Sequence, residues 1–534
     1  MVREYSTILF RQQYRLGFPG SSRQQWYNAS MQRSPKAQAW SASLALIVAM
    51  LWLGAAPLSA APSVSDPFTA PLDVRRQEAA LLPAFSADLN AAEQWDRYTV
   101  IARVDPEKRT ISGRLRLEYA NRAADPLDRI YFYLFPNLPE FGGRLDIHSA
   151  TVDDVAVRVR YESKRFLLRI DLPASLPSGA STAVVLDFSA AAPLDAGQRY
   201  YAAFNRERGV LALASALPMA ARHVEGAWQL ATPLFRGDLV TGDTALYDVT
   251  LTIPAAWIAV TTGTAIESQN DGAVQTTRFV SGPQRDFTIV LTRFPSISAE
   301  VDGTRITSYF RPENPEGGRA ALDAAVNALR VFNRRFGPYP LTELDIVQID
   351  ARKFLGVEYP GLIMIDRRLY AGERAGLEII VAHEVAHQWW YSMVGNDVQN
   401  EAWLDEGLTS FTQVVYQEEL RGAAAAAREI DGFRATYLRA RQTGRDAPLK
   451  RPVSALRGNY TAIAYAKGAL FFQALRVRIG EPAFDRFLRD YYAAFRYRIA
   501  SSDDVRAVAE NACACDLNDF YRDWVLTAAP VAVP

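Results

Sequence analysis

Val381-Ala382-His383-Glu384-Val385-Ala386-His387 places two of the chain's four histidines four residues apart, with a glutamate directly after the first. On an α-helix, residues i and i+4 lie on the same face, so both imidazoles can approach one ion. Glu384 is rotated from His383 by about 100° and can reach a water molecule bound there. The spacing therefore predicts a helix that carries two zinc ligands and a base. The alternative interpretation is a solvated helix with incidental histidines.

A third ligand is expected downstream, because catalytic zinc sites usually have three protein ligands and keep one position for water. Glu406 follows His387 after eighteen intervening residues, within Trp403-Leu404-Asp405-Glu406-Gly407. Two packed helices would bring Glu406 to the ion, so the sequence predicts one Zn²⁺ per chain, held by His383, His387 and Glu406. An ordinary solvated carboxylate is the alternative for Glu406. A helix is predicted there because apolar residues recur at helical spacing: Trp403, Leu404, Leu408, Phe411, Val414 and Val415.

Two further motifs complete a resemblance to a known family. Leu355-Gly356-Val357-Glu358-Tyr359-Pro360-Gly361 and Tyr465-Ala466-Lys467-Gly468-Ala469 flank the zinc motif on either side. Together with the four residues of the zinc motif, they resemble the M1 (gluzincin) zinc aminopeptidases, which carry Gly-x-Met-Glu-Asn and Tyr-x-Lys-Gly at these places. The resemblance covers roughly residues 93 to 534, and the zinc-motif residues that carry it are His383, Glu384, His387 and Glu406.

The resemblance implies an α+β multidomain fold, in which an N-terminal antiparallel β domain precedes a mainly helical, thermolysin-like catalytic domain. It also implies zinc-dependent hydrolysis of the N-terminal peptide bond of peptide substrates, with Glu384 as the base. Tyr465 is implied to hydrogen-bond the tetrahedral intermediate. The chain stops soon after Trp524, so we expect a short form without the family's C-terminal helical domain.

Glu358 is implied to bind the free α-ammonium group of the substrate. It is the only residue of the family's Gly-x-Met-Glu-Asn motif that is kept, because Leu355, Val357 and Tyr359 stand at the other three defined positions. Without the resemblance, Glu358 would be interpreted as a solvated loop glutamate and Tyr465 as a core tyrosine.

Three alternative functions stay open. An M61-like or endopeptidase zinc metallopeptidase would share the zinc ligands, although the Tyr-x-Lys-Gly element favours the M1 family. A non-catalytic scaffold would be expected to lose a ligand or the base, and all four of those residues are present. A small-molecule hydrolase that opens a lipid epoxide with the same site is not distinguished from a peptidase by any residue of the sequence.

Composition is consistent with a two-domain enzyme and argues against a nucleic-acid partner. The chain has 534 residues, of which 49% are hydrophobic, and large chains divide into more than one core. Lys and Arg together number 59, as do Asp and Glu, so the formal net charge is zero. Nucleic-acid binding normally needs a strongly basic surface, whereas peptide substrates do not.

The order of patterns along the chain predicts its domains. Residues 62–92 are rich in Ala, Pro and Ser without a sustained period, which predicts a linker. Alternating and β-branched runs at 114–119, 247–253 and 287–291, separated by turn residues, predict the β domain over residues 93–300. Helical periods at 320–336 and 463–479 indicate that the catalytic domain spans residues 301–534.

The N-terminal residues 1–61 have the pattern of a secretory signal. The apolar run 44–53 follows Arg33 and Lys36 and precedes small residues up to Ala61. We therefore expect export to a bacterial periplasm or the extracellular space, with an uncleaved membrane anchor as the alternative. Starting at Met31 would give a basic region of ordinary length, so the true start is expected there. For Cys513 and Cys515, free thiols and a pair both stay open, since a bridge between residues i and i+2 is geometrically demanding.

Overall fold

The computed structural model describes residues 68, 72–194, 200–234, 237–372, 374–456, 458–528 and 530–533. A β domain comes first, and a largely helical domain with its own sheet follows. This order confirms the predicted fold class. The expected signal region, including Met31, lies outside the described residues. Within the described ranges, no helix combines the length and the apolarity that crossing a bilayer requires.

The β domain is built from short and medium-length strands. Two 3₁₀ turns interrupt them at Phe135–Asn137 and Ser163–Arg165. The strands are β1 Asp96–Asp105, β2 Thr110–Ala120, β3 Leu127–Tyr133, β4 Arg144–Val152, β5 Val155–Ala156, β6 Val159–Glu162, β7 Leu167–Leu176, β8 Ser181–Ala191, β9 Phe204–Glu207, β10 Val210–Leu213, β11 Met219–Ala220, β12 His223–Val224, β13 Ala227–Trp228, β14 Ala245–Pro254, β15 Ile258–Thr261, β16 Thr264–Asn270, β17 Val274–Gln284 and β18 Ile289–Thr292.

An eight-stranded sheet in the order β16-β17-β14-β1-β2-β8-β4-β5 forms the base of this domain. Two four-stranded sheets, β15-β18-β10-β9 and β11-β3-β7-β6, and the hairpin β12-β13 complete it. All neighbouring strands run antiparallel except β1 and β14, which pair in parallel from Asp96 opposite Ala245. Alternate side chains of β2 and β8 are buried, because only one face of these strands meets the apolar core.

Part of the predicted linker is folded instead. Residues 62–92 show no helical period in the sequence, yet 3₁₀ helices form at Val74–Ala80 and Pro83–Gln94. A 3₁₀ helix repeats every three residues, so its apolar positions do not follow the 3.6-residue pattern of an α-helix. Asp88 also forms an ion pair of 2.9 Å with Arg496 of the catalytic domain. Five apolar side chains of this segment are buried in the hydrophobic core of the catalytic domain: Leu72, Leu81, Phe85, Leu89 and Ala92.

The catalytic domain combines a five-stranded sheet with a bundle of helices. Its first strand begins at Ser296, slightly before the expected boundary at residue 300. The strands are β19 Ser296–Val301, β20 Thr304–Tyr309, β21 Glu343–Ile349, β22 Gly356–Tyr359 and β23 Leu362–Asp366, in the sheet order β19-β20-β21-β23-β22, with the small pair β24 Val394–Gly395 and β25 Arg498–Ile499 outside it.

The described helices of this domain follow the predicted periods. The segment expected to be helical over 463–479 is a π-helix that continues into an α-helix. The α-helices are α1 Pro315–Phe336, α2 Arg367–Tyr370, α3 Arg374–Ala386, α4 Trp403–Arg421, α5 Ala423–Gln442, α6 Gly468–Ile479, α7 Glu481–Phe495, α8 Ser502–Cys513 and α9 Asn518–Tyr521, and single turns of other helix types lie at Val453–Ala455, Thr461–Lys467 and Arg522–Leu526.

Helix α3, which contains the first histidine, lies inside the domain. Its residues from Ile379 to Ala386 are all buried, so this part of the helix has no polar face toward solvent. The regular helix ends at Ala386, but the amide of His387 still donates to the carbonyl of His383 over 3.3 Å. The i to i+4 relation that the sequence predicted is therefore kept across the helix end.

Two glycines allow helix α4 to lie against the start of α6. A Cβ atom on Gly407 would lie only 2.7 Å from the Cα of Gly468, and a Cβ on Gly468 would lie 2.6 Å from the Cα of Gly407. Neither position has room for a side chain. Because Glu406 and Tyr465 are close neighbours of these glycines in the chain, the tight crossing brings these two side chains together.

The two domains are joined by a buried guanidinium group. Arg285 of the β domain donates to the backbone carbonyls of Tyr391, Gly242 and Met393 over 2.9, 3.1 and 3.2 Å. Burial lowers the pKa of Arg285 to about 10. Carbonyl acceptors satisfy its donors without a carboxylate partner, and the contact fixes the chain directly after the zinc motif against the β domain.

The two cysteines are paired in the structure. A disulfide joins Cys513 and Cys515 where helix α8 ends, with a distance of 5.2 Å between their Cα atoms. Ala514 between them adopts a left-handed conformation with φ of 52°, which ends the helix. The sequence left open whether the two cysteines are free thiols or a pair, and in this structure they form a pair.

Candidate active site

The structure brings all six residues singled out in the sequence to one place. His383 and Glu384 lie on helix α3, His387 follows it directly, and Glu406 lies in the first turn of α4. Glu358 and Tyr465 approach from two other elements, the edge strand β22 and the π-helical turn Thr461–Lys467. Five of these residues are at most 8% exposed, since the site lies between the domain's sheet and its helices: Glu358, His383, Glu384, His387 and Glu406.

The three predicted ligands form a compact triangle of donor atoms. Nε2 of His383 and Nε2 of His387 lie 3.2 Å apart, and Oε2 of Glu406 lies 3.4 and 3.6 Å from them. Ligand bonds of about 2.1 Å that meet at tetrahedral angles would place zinc donors about 3.4 Å apart. Oε2 of Glu406 is also buried without a hydrogen-bond donor. These residues therefore fit a tetrahedral zinc ion.

Asp405, which the sequence analysis did not single out, fixes the orientation of His387. Nδ1 of His387 lies 2.7 Å from Oδ1 of Asp405, 3.1 Å from the carbonyl of Trp390 and 3.2 Å from Oγ1 of Thr409. These acceptors favour the tautomer with its proton on Nδ1, which leaves the Nε2 lone pair for a metal. Burial lowers the pKa of His387, but Asp405 and other acidic neighbours outweigh burial and hold it well above its usual value.

Replacement of Asp405 by asparagine should weaken zinc binding by about 10- to 100-fold, the usual effect of removing a partner of a metal-ligating histidine. The charge that favours the correct tautomer is lost, while the size of the side chain is kept. Competition with a chromogenic chelator measures the affinity. Asp431→Asn on the exposed part of helix α5 is the matched control, and equal affinity in the Asp405 and Asp431 variants would contradict this role.

Glu384 lies against the backbone of strand β22. A Cβ atom on Gly356 would lie 2.3 Å from Oε1 of Glu384, so only glycine fits beside this carboxylate. Burial raises the pKa of Glu384 well above its usual range, and the nearby Glu358 carboxylate raises it further. A carboxylate whose affinity for a proton is raised is suited to accept a proton from water and to donate it in a later step.

Glu358 enters the site from strand β22, at the edge of the five-stranded sheet. One of its carboxylate oxygens lies within 4.8 Å of a ring nitrogen of His387 and an oxygen of Asp405. Burial raises the pKa of Glu358 to about 8; Asp405 and Glu406 add to the rise while His387 opposes it. The carboxylate thus lies beside the predicted zinc ligands and not in solvent.

Tyr465 lies next to the ligand triangle. Its ring stacks on His383 with 5.9 Å between centroids, and its hydroxyl donates to Oε1 of Glu406. The π-helical turn that carries it is anchored by the fully buried Lys467, whose Nζ lies 3.1 Å from Oδ1 of Asp446 and 2.7 Å from the carbonyl of Ala447. Such π-helical turns are frequent at functional sites, and this one aims the tyrosine at the cleft.

Three parts of the site were absent from the sequence-based predictions. The roles of Asp405 and Gly356 had a signal in the sequence, since each lies inside a motif already singled out. Asp238 had none: it belongs to a loop of the β domain far from the motifs in the chain, and burial, followed by the charge of Glu358, raises the pKa of its carboxyl well above the usual range.

A protein-family model described as "Peptidase family M1 domain" matches residues 320–524. Among curated proteins, the chain is 26% identical over 296 residues to Aminopeptidase M1-B of Oryza sativa subsp. japonica, covering 52% of the chain and 34% of that protein. Endoplasmic reticulum aminopeptidase 1 of Mus musculus is 26% identical over 250 residues, covering 42% and 26%. The chain thus spans about a third or less of the length of these relatives.

Solved structures share the fold over most of the chain. The crystal structure of an M1 zinc metallopeptidase from Deinococcus radiodurans superposes with a TM-score of 0.64 at 21% identity, covering 82% of this chain and 95% of that one. A mutant of that metallopeptidase, bound to a Tyr-ser-ala substrate, superposes with a TM-score of 0.60 at 20% identity and covers 82% and 95%. The similarity includes both the β domain and the helical domain.

Proposed function

We propose that the protein is a zinc-dependent aminopeptidase that hydrolyses the N-terminal peptide bond of peptides, in keeping with the match of residues 320–524 to the peptidase family M1 domain. The observation that carries this proposal is the ligand triangle, with its edges of 3.2 to 3.6 Å, beside the carboxylates of Glu384 and Glu358. A site that only bound a metal would not need the two additional carboxylates. A site without a metal would not need the ligand triangle.

His383, His387 and Glu406 would hold the zinc ion. Bound there, the ion supplies a Lewis acid for the scissile carbonyl and lowers the pKa of a water molecule toward neutrality. Asp405 keeps His387 in the tautomer that can act as a ligand. Burial lowers the pKa of His383, so this imidazole is neutral near pH 7 and offers a lone pair for the metal.

Glu384 moves the protons of the reaction. It accepts a proton from the attacking water and later passes it to the leaving amine. Its raised pKa serves both steps, because a carboxyl that remains weakly acidic in the buried site can hold the proton between them. Because Gly356 has no side chain, the Glu384 carboxylate can lie close to strand β22. The strand then restricts the rotation of the Glu384 side chain.

Tyr465→Phe should retain zinc and substrate affinity while kcat falls by about 30- to 1,000-fold, corresponding to roughly 2 to 4 kcal/mol for an oxyanion donor. The hydroxyl would donate to the oxygen that becomes negative as water attacks. Steady-state kinetics and zinc analysis of the purified variant measure both quantities. Tyr460→Phe is the matched control, because its ring lies 5.8 Å from that of Tyr465. A larger kcat loss in the Tyr460 variant would move the role to that residue.

Glu358 would determine that cleavage occurs at the first bond. A carboxylate that meets a substrate ammonium in a desolvated cleft forms a charge-assisted hydrogen bond. The same contact sets the register of the peptide, because the first peptide bond then lies at a fixed distance from the bound amine. An acetylated terminus offers no cation and leaves the carboxylate unpaired.

Glu358→Ala should lower kcat/KM for substrates with a free amino terminus by about 10- to 100-fold, the range for a hydrogen bond between charged groups. Blocked substrates should change much less. A panel of fluorogenic aminoacyl amides, each with its N-acetylated counterpart, measures the effect, and Glu358→Gln separates loss of charge from loss of shape. Wild-type enzyme that cut N-acetylated peptides internally as fast as free ones would refute the aminopeptidase proposal and favour an endopeptidase.

We propose export from the cytoplasm on two grounds. One is the secretory pattern of residues 1–61, and the other is the disulfide between Cys513 and Cys515, since such bonds persist mainly in oxidising compartments. Amino-terminal sequencing of the native protein tests the proposal, because peptides from residues 1–30 in the mature protein would contradict both cleavage and a start at Met31.

A further inference from the structure

A polar cavity of about 70 Å³ lies in the β domain and shares no residue with the candidate active site. It is located at one end of the eight-stranded sheet, where β1 begins at Asp96, β14 begins at Ala245 and β2 ends at Ala120. Residues 219–221, which include strand β11 of a neighbouring sheet, also line it. Since roughly 10 to 15 Å³ is enough for one water molecule, the cavity has room for a small molecule of a few heavy atoms.

Four side chains on one face of the sheet reach this cavity. Tyr98 of β1 lies opposite Tyr247 of β14 and opposite Leu117 of β2. Side chains two residues apart in a strand lie on the same face, which adds Asp96 of β1 and Tyr119 of β2. The rings of Tyr98 and Tyr247 stack with 4.8 Å between their centroids. The fold therefore brings one carboxylate and three phenol groups to the same cavity.

The three tyrosine hydroxyl groups can donate hydrogen bonds into the cavity. Tyr98 and Tyr247 are each 3% exposed, and Tyr119 is 6% exposed. The Tyr98 oxygen accepts from the amide of Ala220 over 2.9 Å, but its own proton has no acceptor among the described residues. In that part of the chain, the hydroxyls of Tyr119 and Tyr247 have no hydrogen-bond partner. Because buried polar groups almost always have partners, the cavity favours a ligand that carries acceptor oxygens.

The cavity also contains charges of both signs. Asp96, which is 8% exposed, accepts from the Arg122 guanidinium through Oδ1 over 2.7 Å. Asp243 accepts from Arg222 over 2.8 Å, and its side chain is 55% exposed, so the cavity opens to solvent on that side. Burial lowers the pKa of His223, so its imidazole is neutral near pH 7. A ligand in the cavity thus meets carboxylates, a guanidinium and hydroxyl donors together.

Neither a simple anion nor a simple cation matches this lining. An anion would accept from the hydroxyl groups but would face the buried carboxylate of Asp96, which has the same sign of charge. A cation would pair with Asp96 but would leave the protons of Tyr119 and Tyr247 without acceptors. A zwitterion offers each of these groups a partner of the opposite kind.

We propose that this cavity binds a small free α-amino acid, such as glycine or alanine. Asp96 binds the ammonium group in a charge-assisted hydrogen bond. Tyr119, Tyr247 and Arg122 donate to the carboxylate. A longer side chain on the ligand would have to extend past Asp243 into solvent, so the small volume favours the smallest amino acids. This inference does not depend on the proposed function, although amino acids are also products of that reaction.

Isothermal titration calorimetry of the zinc-loaded protein with glycine, acetate and methylammonium tests the proposal. Glycine should bind at least about tenfold more tightly than either singly charged probe. Tyr247→Phe should weaken glycine binding by about 10- to 100-fold, the range for a hydrogen bond to a charged group. Because this change removes no hydrogen bond within the described residues, the fold should be retained. Tyr131→Phe is the matched control, since this buried tyrosine packs on Trp228 and does not line the cavity.

Asp96→Asn tests the partner of the ammonium group. It should weaken the binding of glycine and not that of acetate, because acetate has no ammonium group to lose a partner. Equal circular dichroism spectra and melting temperatures of the Tyr247 variant and wild type exclude loss of the fold as the cause of weaker binding.

Each other outcome overturns the proposal. Acetate that binds as tightly as glycine would indicate an anion site, and methylammonium that does so would indicate a cation site. Glycine binding that is unchanged in Tyr247→Phe would lie elsewhere, and its loss in Glu358→Ala would assign it to the candidate active site, in support of the proposed function. Absence of glycine binding would refute this inference alone, because cleavage of aminoacyl amides tests the proposed function separately.

Discussion

Replacement of Glu384 by glutamine is expected to lower kcat by about 10² to 10⁴, the contribution of a positioned general base, while zinc stays bound. Glutamine keeps the shape of the side chain next to Gly356, but its amide cannot accept a proton from water. The ligand triangle does not include Glu384, so metal content should remain near that of wild type. Steady-state kinetics on aminoacyl amides, combined with zinc analysis of the same preparation, separates the two effects.

Glu378→Gln is the matched control for this variant. It makes the same chemical change on helix α3, at a partly exposed residue that contacts Tyr416 and Arg421. Its kcat should stay within about twofold of wild type, since exposed or partly exposed pairs contribute little. A Glu384→Gln enzyme with full activity would require another base, and the buried Glu358 would be the first residue to test.

Removal of any one zinc ligand is expected to abolish activity and lower the metal content well below one ion per chain. Two donors cannot complete the three-ligand set that catalytic zinc sites use, and the remaining buried donors would be left close together without a cation. His383→Ala, His387→Ala and Glu406→Ala should each show this effect. Metal analysis after dialysis against a weak chelator measures occupancy, and addition of excess zinc tests whether activity returns.

His148→Ala is the control for the ligand variants. His148 lies on the exposed side of strand β4, where it contacts Ser189 over 2.8 Å, so its removal should change neither zinc content nor activity. Full metal content in all three ligand variants would refute the zinc assignment. Loss of metal with retained activity would refute the mechanism but leave the metal site in place.

The geometry of the proposed zinc pair and base could be predicted because it is local. The four-residue spacing of His383 and His387 is converted into a shared helix face by the backbone alone, and the structure keeps that relation even though the regular helix ends at Ala386. Glu406 needed one further assumption, that two helices pack side by side. The roles of Glu358 and Tyr465 came from the family resemblance, since a single glutamate or tyrosine carries no spacing that distinguishes it from solvated or core residues.

The folded stretch within residues 62–92 could not be predicted from periodicity. Its 3₁₀ helices have a different repeat, and their apolar residues are buried only because the catalytic domain supplies the opposite surface. The parallel pairing of β1 with β14 was equally hidden, because strand periodicity shows which face is buried but not the direction of the neighbouring strand.

The sequence by itself therefore predicted the order of the β and helical regions, which the structure confirms, and it supplied the proposed histidine ligands and base from contiguous residues and regular backbone geometry. Only the tertiary structure decided which groups lie beside them. Asp405 faces His387 because of how α3 and α4 cross, and a loop of the β domain lies against the catalytic domain because Gln399 donates to the backbone carbonyl of Asp238. The physical reason is that a charge acts through space over a few ångströms, whereas the residues that share that space come from segments far apart in the chain.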